Sequence, residues 1–248
     1  MPPIRKGDGT PVTAKGISQI RTGDGRILFD GPAPPDGVVY HWDVDNFADP
    51  WEDDVQNRTM SISGLSLSEG LVSSDGVDDF GSANVGDFGS ILDSQMSLGV
   101  SISTTDSQGA ILGVREDGLR LGLSVGDDAA LTPNDASAGE VAFRVSDENG
   151  DIQDAYSDGT TVDDGQKHDI LITKSGNEFD DVDIRIDGSL VNTNFVFDEN
   201  PSNFVDFEED MAFFAANNNG SLRDYIECGV ERFTFYNEYL PDGEETFW

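Results

Sequence analysis

The 248-residue chain carries 14 Lys and Arg against 49 Asp and Glu, a formal charge of −35. A small soluble domain ordinarily holds a net charge of roughly 2–8 in magnitude. The balance excludes a nucleic-acid binder working through a basic face and a polybasic anchor on anionic lipid, since both need clustered Lys and Arg.

Disorder is the other consequence of high charge, but 36% of the residues are hydrophobic and 15 Phe are spread along the chain, enough for a packed core. A calcium-binding extracellular protein would concentrate its acids in loops. Here they occur almost everywhere, and Lys is scarce, four against ten Arg. That pattern points to adaptation to molar salt, because a Debye length of roughly 3 Å at about 1 M screens the self-repulsion of an acidic coat.

In chain order, the opening MPPIRKGDGT has no apolar run resembling a signal-peptide core, and no stretch reaches the roughly 18 apolar residues of a membrane helix. The expectation is a soluble chain made without a visible secretion signal. Residues 1–35 hold five basic and three acidic groups, net +2, whereas residues 36–248 hold nine basic and 46 acidic, net −37. The change falls at Gly31-Pro32-Ala33-Pro34-Pro35, a run unsuited to helix or central strand. The expected division is a segment 1–35 and a domain 36–248. Within the segment, IRKGDGTPV (Ile4–Val12) and IRTGDGRIL (Ile20–Leu28) echo each other, each with a Gly-Asp-Gly turn that predicts a β-hairpin. Hairpins this small need a surface to pack against, so the segment reads equally as a docking element or as an extension wrapped on its own domain.

The remainder predicts an all-β chain, with turn clusters every 8–15 residues and short strands at Gly37–Val44, Ser97–Ser103, Gly118–Val125, Glu140–Asp147, His168–Lys174, Asp181–Asp187 and Glu231–Asn237. In VDIRID, Val182, Ile184 and Ile186 face one way; in EVAFRV, Val141, Phe143 and Val145 do the same. Many such strands argue for a sandwich or jelly roll of two antiparallel sheets. Phe204, Phe207, Met211 and Phe214 have helix-compatible spacing, predicting a helical turn before a strand at Met211–Ala216. The single Cys228 permits no internal disulfide and reads as a small buried hydrophobe on a strand. His41, beside Trp42, reads as packed or partly exposed, and His168 as fixing a strand entrance by a side-chain hydrogen bond.

Little in the sequence points to catalysis. It has no nucleophile elbow, phosphate-cradling loop or dinucleotide fingerprint. Two His and one Cys do not build a structural zinc site. Asp147-x-Asn149-x-Asp151 begins like a calcium loop, but Ile152 stands where the glycine belongs.

Four runs in order resemble the laminin G-like, concanavalin A-like sandwich family: GVVYHWDVDNFADP (Gly37–Pro50), SSDGVDDFGSA (Ser73–Ala83), DDGQKHDILITKSG (Asp163–Gly176) followed by VDIRIDGSLV (Val182–Val191), and GVERFTFYNEYLPDGE (Gly229–Glu244). The resemblance covers about residues 37–247, with Lys167 departing from an aromatic often found in the Gln-x-His turn. It implies a recognition or adhesion module binding glycans or protein partners through loops at one rim. Rim candidates are Trp42, Trp51 and the run Asn217-Asn218-Asn219, because aromatic faces and amides suit sugars. The alternatives are core packing for the tryptophans and turn formation for the asparagines. The family often carries calcium at the rim, which makes Asp43, Asp45, Asp75, Asp78 and Asp79 candidate Ca2+ ligands. Some relatives are glycosidases working through paired carboxylates, but Glu178-Phe179-Asp180-Asp181-Val182-Asp183 does not match the Glu-x-Asp-x-x-Glu arrangement and falls at a hairpin turn.

The leading IR-x-GDG segment resembles docking segments of phage and archaeal-virus tail or fibre proteins. With the salt signature, this implies a non-enzymatic virion structural protein of a halophilic archaeal virus. Residues 1–35 would dock on other virion proteins, and the sandwich, as a homo-oligomer and specifically a trimer, would face host-surface glycan or glycoprotein. The alternatives are a cellular carbohydrate-binding module of a halophile and a glycoside hydrolase.

Overall fold

The computed structural model describes residues 37–240, apart from Asp87, Ser94, 128–135, Phe179 and 197–198, together with the backbone of two earlier strands. The chain divides into two compact units between Asp36 and Gly37. In the first, β1 (Gln19–Arg21) pairs antiparallel with β2 (Ile27–Asp30), Ile20 opposite Phe29, as the second Gly-Asp-Gly motif predicts. The first predicted hairpin, Ile4–Val12, lies outside the described residues.

The second unit begins with β3 (Val38–Asp43), β4 (Trp51–Glu52), β5 (Thr59–Ser63), β6 (Ser66–Ser68), β7 (Leu71–Ser73) and β8 (Phe80–Ala83), then a short helix α1 (Phe88–Leu92). The long strands follow: β9 (Met96–Thr104), β10 (Gly109–Glu116), β11 (Leu119–Val125), β12 (Glu140–Ser146), β13 (Ile152–Thr161), β14 (Lys167–Lys174) and β15 (Val182–Ile186). Short strands β16 (Ser189–Leu190), β17 (Thr193–Asn194), β18 (Met211–Phe213), β19 (Ala216–Asn218) and β20 (Ser221–Arg223) precede the closing β21 (Cys228–Tyr236).

These strands build two sheets. The larger runs β17-β13-β12-β11-β10-β18-β8-β5-β4, with β19 and β20 beside β10. The smaller runs β16-β15-β14-β9-β21-β7-β6, with β3 also on β21. The pairings are antiparallel except β10 with β19. The predicted alternation is present: Val141, Phe143 and Val145 of β12 and Val182, Ile184 and Ile186 of β15 are buried between the sheets. On β9, Met96, Leu98, Val100 and Ile102 join the core. On its opposite face, Ser97 Oγ donates to Glu238 O at 2.8 Å and accepts from Leu240 N, holding the closing tail.

Aromatic rings join the two layers. Trp42 of β3 contacts Phe213 of β18 at 5.3 Å, and Phe213 contacts Phe233 of β21 at 4.9 Å. Tyr40, Phe88 and Phe235 stack or meet edge-on around them. The Trp42 indole N–H is buried without an acceptor, a cost of about 1–3 kcal/mol. Truncating a buried Trp costs about 3–5 kcal/mol, so the ring remains net stabilising. The helical turn expected around Phe204–Phe214 is absent; residues 201–210 are irregular except for a bend, and Phe214 reverses the chain at φ 65° with its ring against Phe233. Phe207 and Met211 are buried without helical periodicity.

Carboxylates anchor the loops. Asp147 is fully buried: one oxygen accepts from Asn149 N (2.9 Å) and Asp151 N (3.1 Å), the other from Ser202 N and Asn203 N (3.0 Å each). The apparent calcium loop is therefore a carboxylate stitch between two connections. His168, at the head of β14, reaches Asp187 through Nδ1 (2.9 Å) and Asp164 through Nε2 (3.1 Å). Asp187 also accepts from Asp169 N at 2.9 Å. The Asp-Gly-Gln-x-His turn and the strand-ending Asp-Gly thus form one clamp, with Asp187 in the left-handed region at φ 53°.

Both anchors make stability depend on pH, with opposite signs. Partial burial opposes protonation of His168, but the hydrogen bonds to Asp187 and then Asp164 outweigh it and raise the pKa above 6.5. Its contribution is complete below 6.5 and is lost as pH rises through the higher folded value. The stability gap between wild type and His168→Gln, from urea midpoints at constant salt, is therefore largest below pH 6 and closes toward pH 9; a gap independent of pH rules out a protonated clamp. Burial disfavours the Asp147 carboxylate, yet its four backbone donors hold the pKa below 3.8, so its contribution stands above that value and vanishes as pH falls through the folded one. Asp147→Ala destabilises by more than about 3 kcal/mol at pH 7, since hydrogen bonds to a charged group are worth about 1.5–3 kcal/mol each. A loss under about 1 kcal/mol would mean that the loops are held by other contacts.

Candidate functional site

At one end of the sandwich, the β7–β8, β9–β10 and β20–β21 connections meet. Thr104 Oγ1 donates to Glu227 O at 2.7 Å, Glu227 N donates to Asp106 Oδ2 at 2.7 Å, and Ser74 N donates to Cys228 O at 3.0 Å. Gly76 lies so close to this segment that a Cβ there would stand 2.8 Å from Glu227 N.

The loop so held carries Asp75, Asp78 and Asp79, each offering an oxygen within 4.8 Å of the others. It curls because Asp79 Oδ2 accepts from Asp75 N (3.0 Å) and Asp75 Oδ1 from Val77 N (2.9 Å). Gly64 makes room for the Asp79 carboxylate, which any Cβ at position 64 would meet. Asp75 and Asp78 are exposed and Asp79 half-buried, with Val77 exposed at the loop tip. Carboxylate oxygens so gathered are the donor set that Ca2+ takes, so three of the five predicted ligands come together.

Asp43 and Asp45 stand apart from that group. Asp43 caps a 3-10 turn at Val44–Asn46, accepting from Asp45 N at 2.8 Å. Their neighbour is Asp54, whose pKa is pushed up to about 6 by burial and then by Asp43, Asp53 and Asp45. His41 Nε2 lies 3.8 Å from Asp43 Oδ2, but burial, with help from Arg232, lowers the His41 pKa to about 4. The ring is thus neutral near pH 7, and its Nδ1 contacts Thr234 Oγ1 at 2.8 Å.

Trp42 and Trp51 correct the expected rim contacts. Both are 0% exposed. Trp42 fills the seam between the sheets, and Trp51 donates its indole N–H to Asp43 O at 3.0 Å while packing edge-on against Phe47. Neither presents a face to a sugar, because a large ring beside an acidic turn is worth more inside this core than at its edge.

Asn217, Asn218 and Asn219 form the β19–β20 hairpin, the turn alternative for this run. Asn219 and Gly220 take φ 50° and 77°, the left-handed pair that an Asn-Gly hairpin turn requires. Asn217 is buried, donating to Asp210 O at 2.7 Å and accepting from Gly220 N at 2.9 Å. Asn219 Oδ1 accepts from Asp117 N at 2.9 Å. Asn218 and Asn219 remain accessible, and Asn217 does not.

Glu178, Asp180 and Asp181 lie in the β14–β15 turn, where Asp181 Oδ2 accepts from Glu178 N at 2.9 Å. Cys228 is buried at the start of β21, its thiol pushed up to about 12 chiefly by burial, so it is inert as a nucleophile. Lys174 is buried with its ammonium on Leu92 O (2.9 Å) and over the Phe204 ring, and burial lowers its pKa to about 8. Sequence reasoning passed over the arginines on the outer face of the larger sheet, which only strand register brings together.

No family model matches the chain, and no curated protein matches it in sequence. Solved structures do. The chain is similar to the botulinum neurotoxin serotype D binding domain (TM-score 0.57, 13% identity, 83% of this chain and 49% of that one). It is likewise similar to the binding domain of botulinum neurotoxin DC in complex with rat synaptotagmin II (TM-score 0.60, 14% identity, 84% and 49%). The botulinum neurotoxin type G receptor binding domain gives TM-score 0.55 at 14% identity, over 84% and 49%. The chain spans about half the length of these structures. At such identities the likeness establishes the fold alone: an all-β jelly-roll sandwich of two antiparallel sheets.

Proposed function

We propose that this chain is a non-enzymatic recognition protein on the virion surface of a halophilic archaeal virus. Residues 1–35 dock on other virion proteins, and the sandwich, assembled as a trimer, meets host-surface glycan or glycoprotein. The observation that carries the recognition role is the sandwich itself, similar over more than four-fifths of the chain to binding domains of neurotoxins, one named for receptor binding and one in complex with synaptotagmin II. The virion assignment rests on the charge split of +2 against −37 on either side of the proline-rich junction. A basic segment finds complementary partners among the acidic surfaces that molar salt favours.

Removing residues 1–35 therefore abolishes incorporation into particles while leaving the sandwich folded, as read by co-sedimentation and by the near-ultraviolet signal of buried Trp42 and Trp51. Normal incorporation of the truncated protein sinks the docking role.

The rim loop at Asp75, Asp78 and Asp79 is proposed to take Ca2+. Adding millimolar Ca2+ in high salt raises the melting temperature of the wild type, and Asp78→Asn loses that rise. Calorimetric silence toward Ca2+ in the wild type removes the site.

A further inference from the structure

The outer face of the larger sheet gathers three arginines from three adjacent strands. Arg115 of β10 lies directly opposite Arg120 of β11, and Arg144 of β12 lies opposite Gly122, two residues along β11 from Arg120. Their chain neighbours Val114, Leu121, Phe143 and Val145 are buried in the core, so alternation puts all three guanidinium groups on the other face. Like charges directly opposed across an antiparallel pair are destabilising.

Several other cations of the unit do meet carboxylates. Arg144 pairs with Asp154 at 2.9 Å, Lys167 with Glu231 at 2.5 Å, and Arg232 lies 3.9 Å from Asp169. Among the described residues, Arg115 and Arg120 have no carboxylate partner, although residues 36–248 hold 46 acids for nine basic groups. The Arg115 Nε is itself buried with no acceptor. Arg120 is brought down to about 10 by burial and then by the charges of Arg115 and Arg144. Both unpaired side chains remain partly exposed.

We propose that Arg115 and Arg120, flanked by Arg144, bind an anionic group of a saccharide, a carboxylate or a sulfate, on the outer face of the larger sheet. Guanidinium forks match the planar pair of carboxylate oxygens or two oxygens of a sulfate, donating two parallel hydrogen bonds. A bound anion on the exposed ends of the guanidinium groups supplies the countercharge that the fold leaves out. The saccharide part of this assignment rests on the recognition role proposed above, while the anion part rests on the arginines alone.

The test titrates the full chain calorimetrically with three hexasaccharides, one sulfated (heparin-derived), one carboxylated (polyguluronate) and one neutral (maltohexaose), and with inorganic sulfate. The expected result is binding of a charged oligosaccharide but not the neutral one, weakened at least tenfold in the Arg115→Gln/Arg120→Gln double variant. That variant loses no melting temperature, because no ion pair is lost and a like-charge pair is removed, and Lys167→Gln binds like wild type. Equal binding by wild type and double variant overturns the site. If the equal binding is to maltohexaose, the recognition role survives without it. Arginine-dependent binding of inorganic sulfate with none of the oligosaccharides overturns the saccharide and the recognition role while keeping the anion site. No binding of any probe overturns both.

Discussion

The sandwich depends on one aromatic seam. Trp42 comes from the first strand of the domain, Phe233 and Phe235 from the last, and Phe213 from the opposite sheet. The seam forms only when β3 has paired with β21, with Val38 opposite Tyr236, nearly the whole domain apart in sequence. Contacts of that sequence separation make folding slow relative to helical proteins, and with a single cysteine no internal disulfide shortens the search. What holds the closed state is ring burial, at about 3–5 kcal/mol for each large aromatic removed. This commitment also spends Trp42 and Trp51 inside, where neither ring can meet a ligand.

A sandwich with long connections must satisfy the backbone groups of its loops, and here carboxylates do much of it. Asp53 accepts from Val55 N, Gln56 N and Arg58 N. Glu140 accepts from Ser137 N and Gly159 N, and Glu116 from Glu208 N and Glu209 N. Hydrogen bonds of this kind are about twice as strong as neutral ones. The excess of acid is therefore not all a solvent coat. Part of it is internal, and changing those residues to match a less acidic surface would loosen the loops rather than merely reduce repulsion.

How much of this was legible follows from the range of each signal. Period-two alternation is local, so EVAFRV and VDIRID revealed both their strands and their inward faces. The Gln-x-His and Asp-Gly elements were readable because each turn has its own chemistry, and His168 joins them as its position suggested. Asp75, Asp78 and Asp79 meet because they share one short loop. Burial of Trp42 and Trp51 was legible only as the alternative to rim contact, since an aromatic beside an acidic turn reads the same at a rim or in a core. Phe204, Phe207, Met211 and Phe214 mimicked a helix because four apolar residues in eleven positions fit that period without requiring it. Asp147 mimicked a calcium loop because a metal and a set of backbone N–H groups ask for the same carboxylate. Arg115, Arg120 and Arg144 were invisible as a group: hairpin register, not spacing, brings them together.

The net charge and the arginine face make opposite demands on an anion, and distance decides between them. A guanidinium and a carboxylate about 4 Å apart attract by about 4 kcal/mol at an effective dielectric of 20. The acids of the wider surface act from farther off, and their repulsion is cut once separation exceeds the Debye length, about 10 Å at 0.1 M salt and about 3 Å at 1 M. Concentrated salt therefore weakens the far field that repels an acidic ligand more than the close contacts that hold it. A domain of charge −37 with two unpaired arginines side by side is contradictory in dilute buffer and self-consistent in brine. The same screening that would make the acidic coat tolerable in concentrated salt would also let an acidic ligand approach.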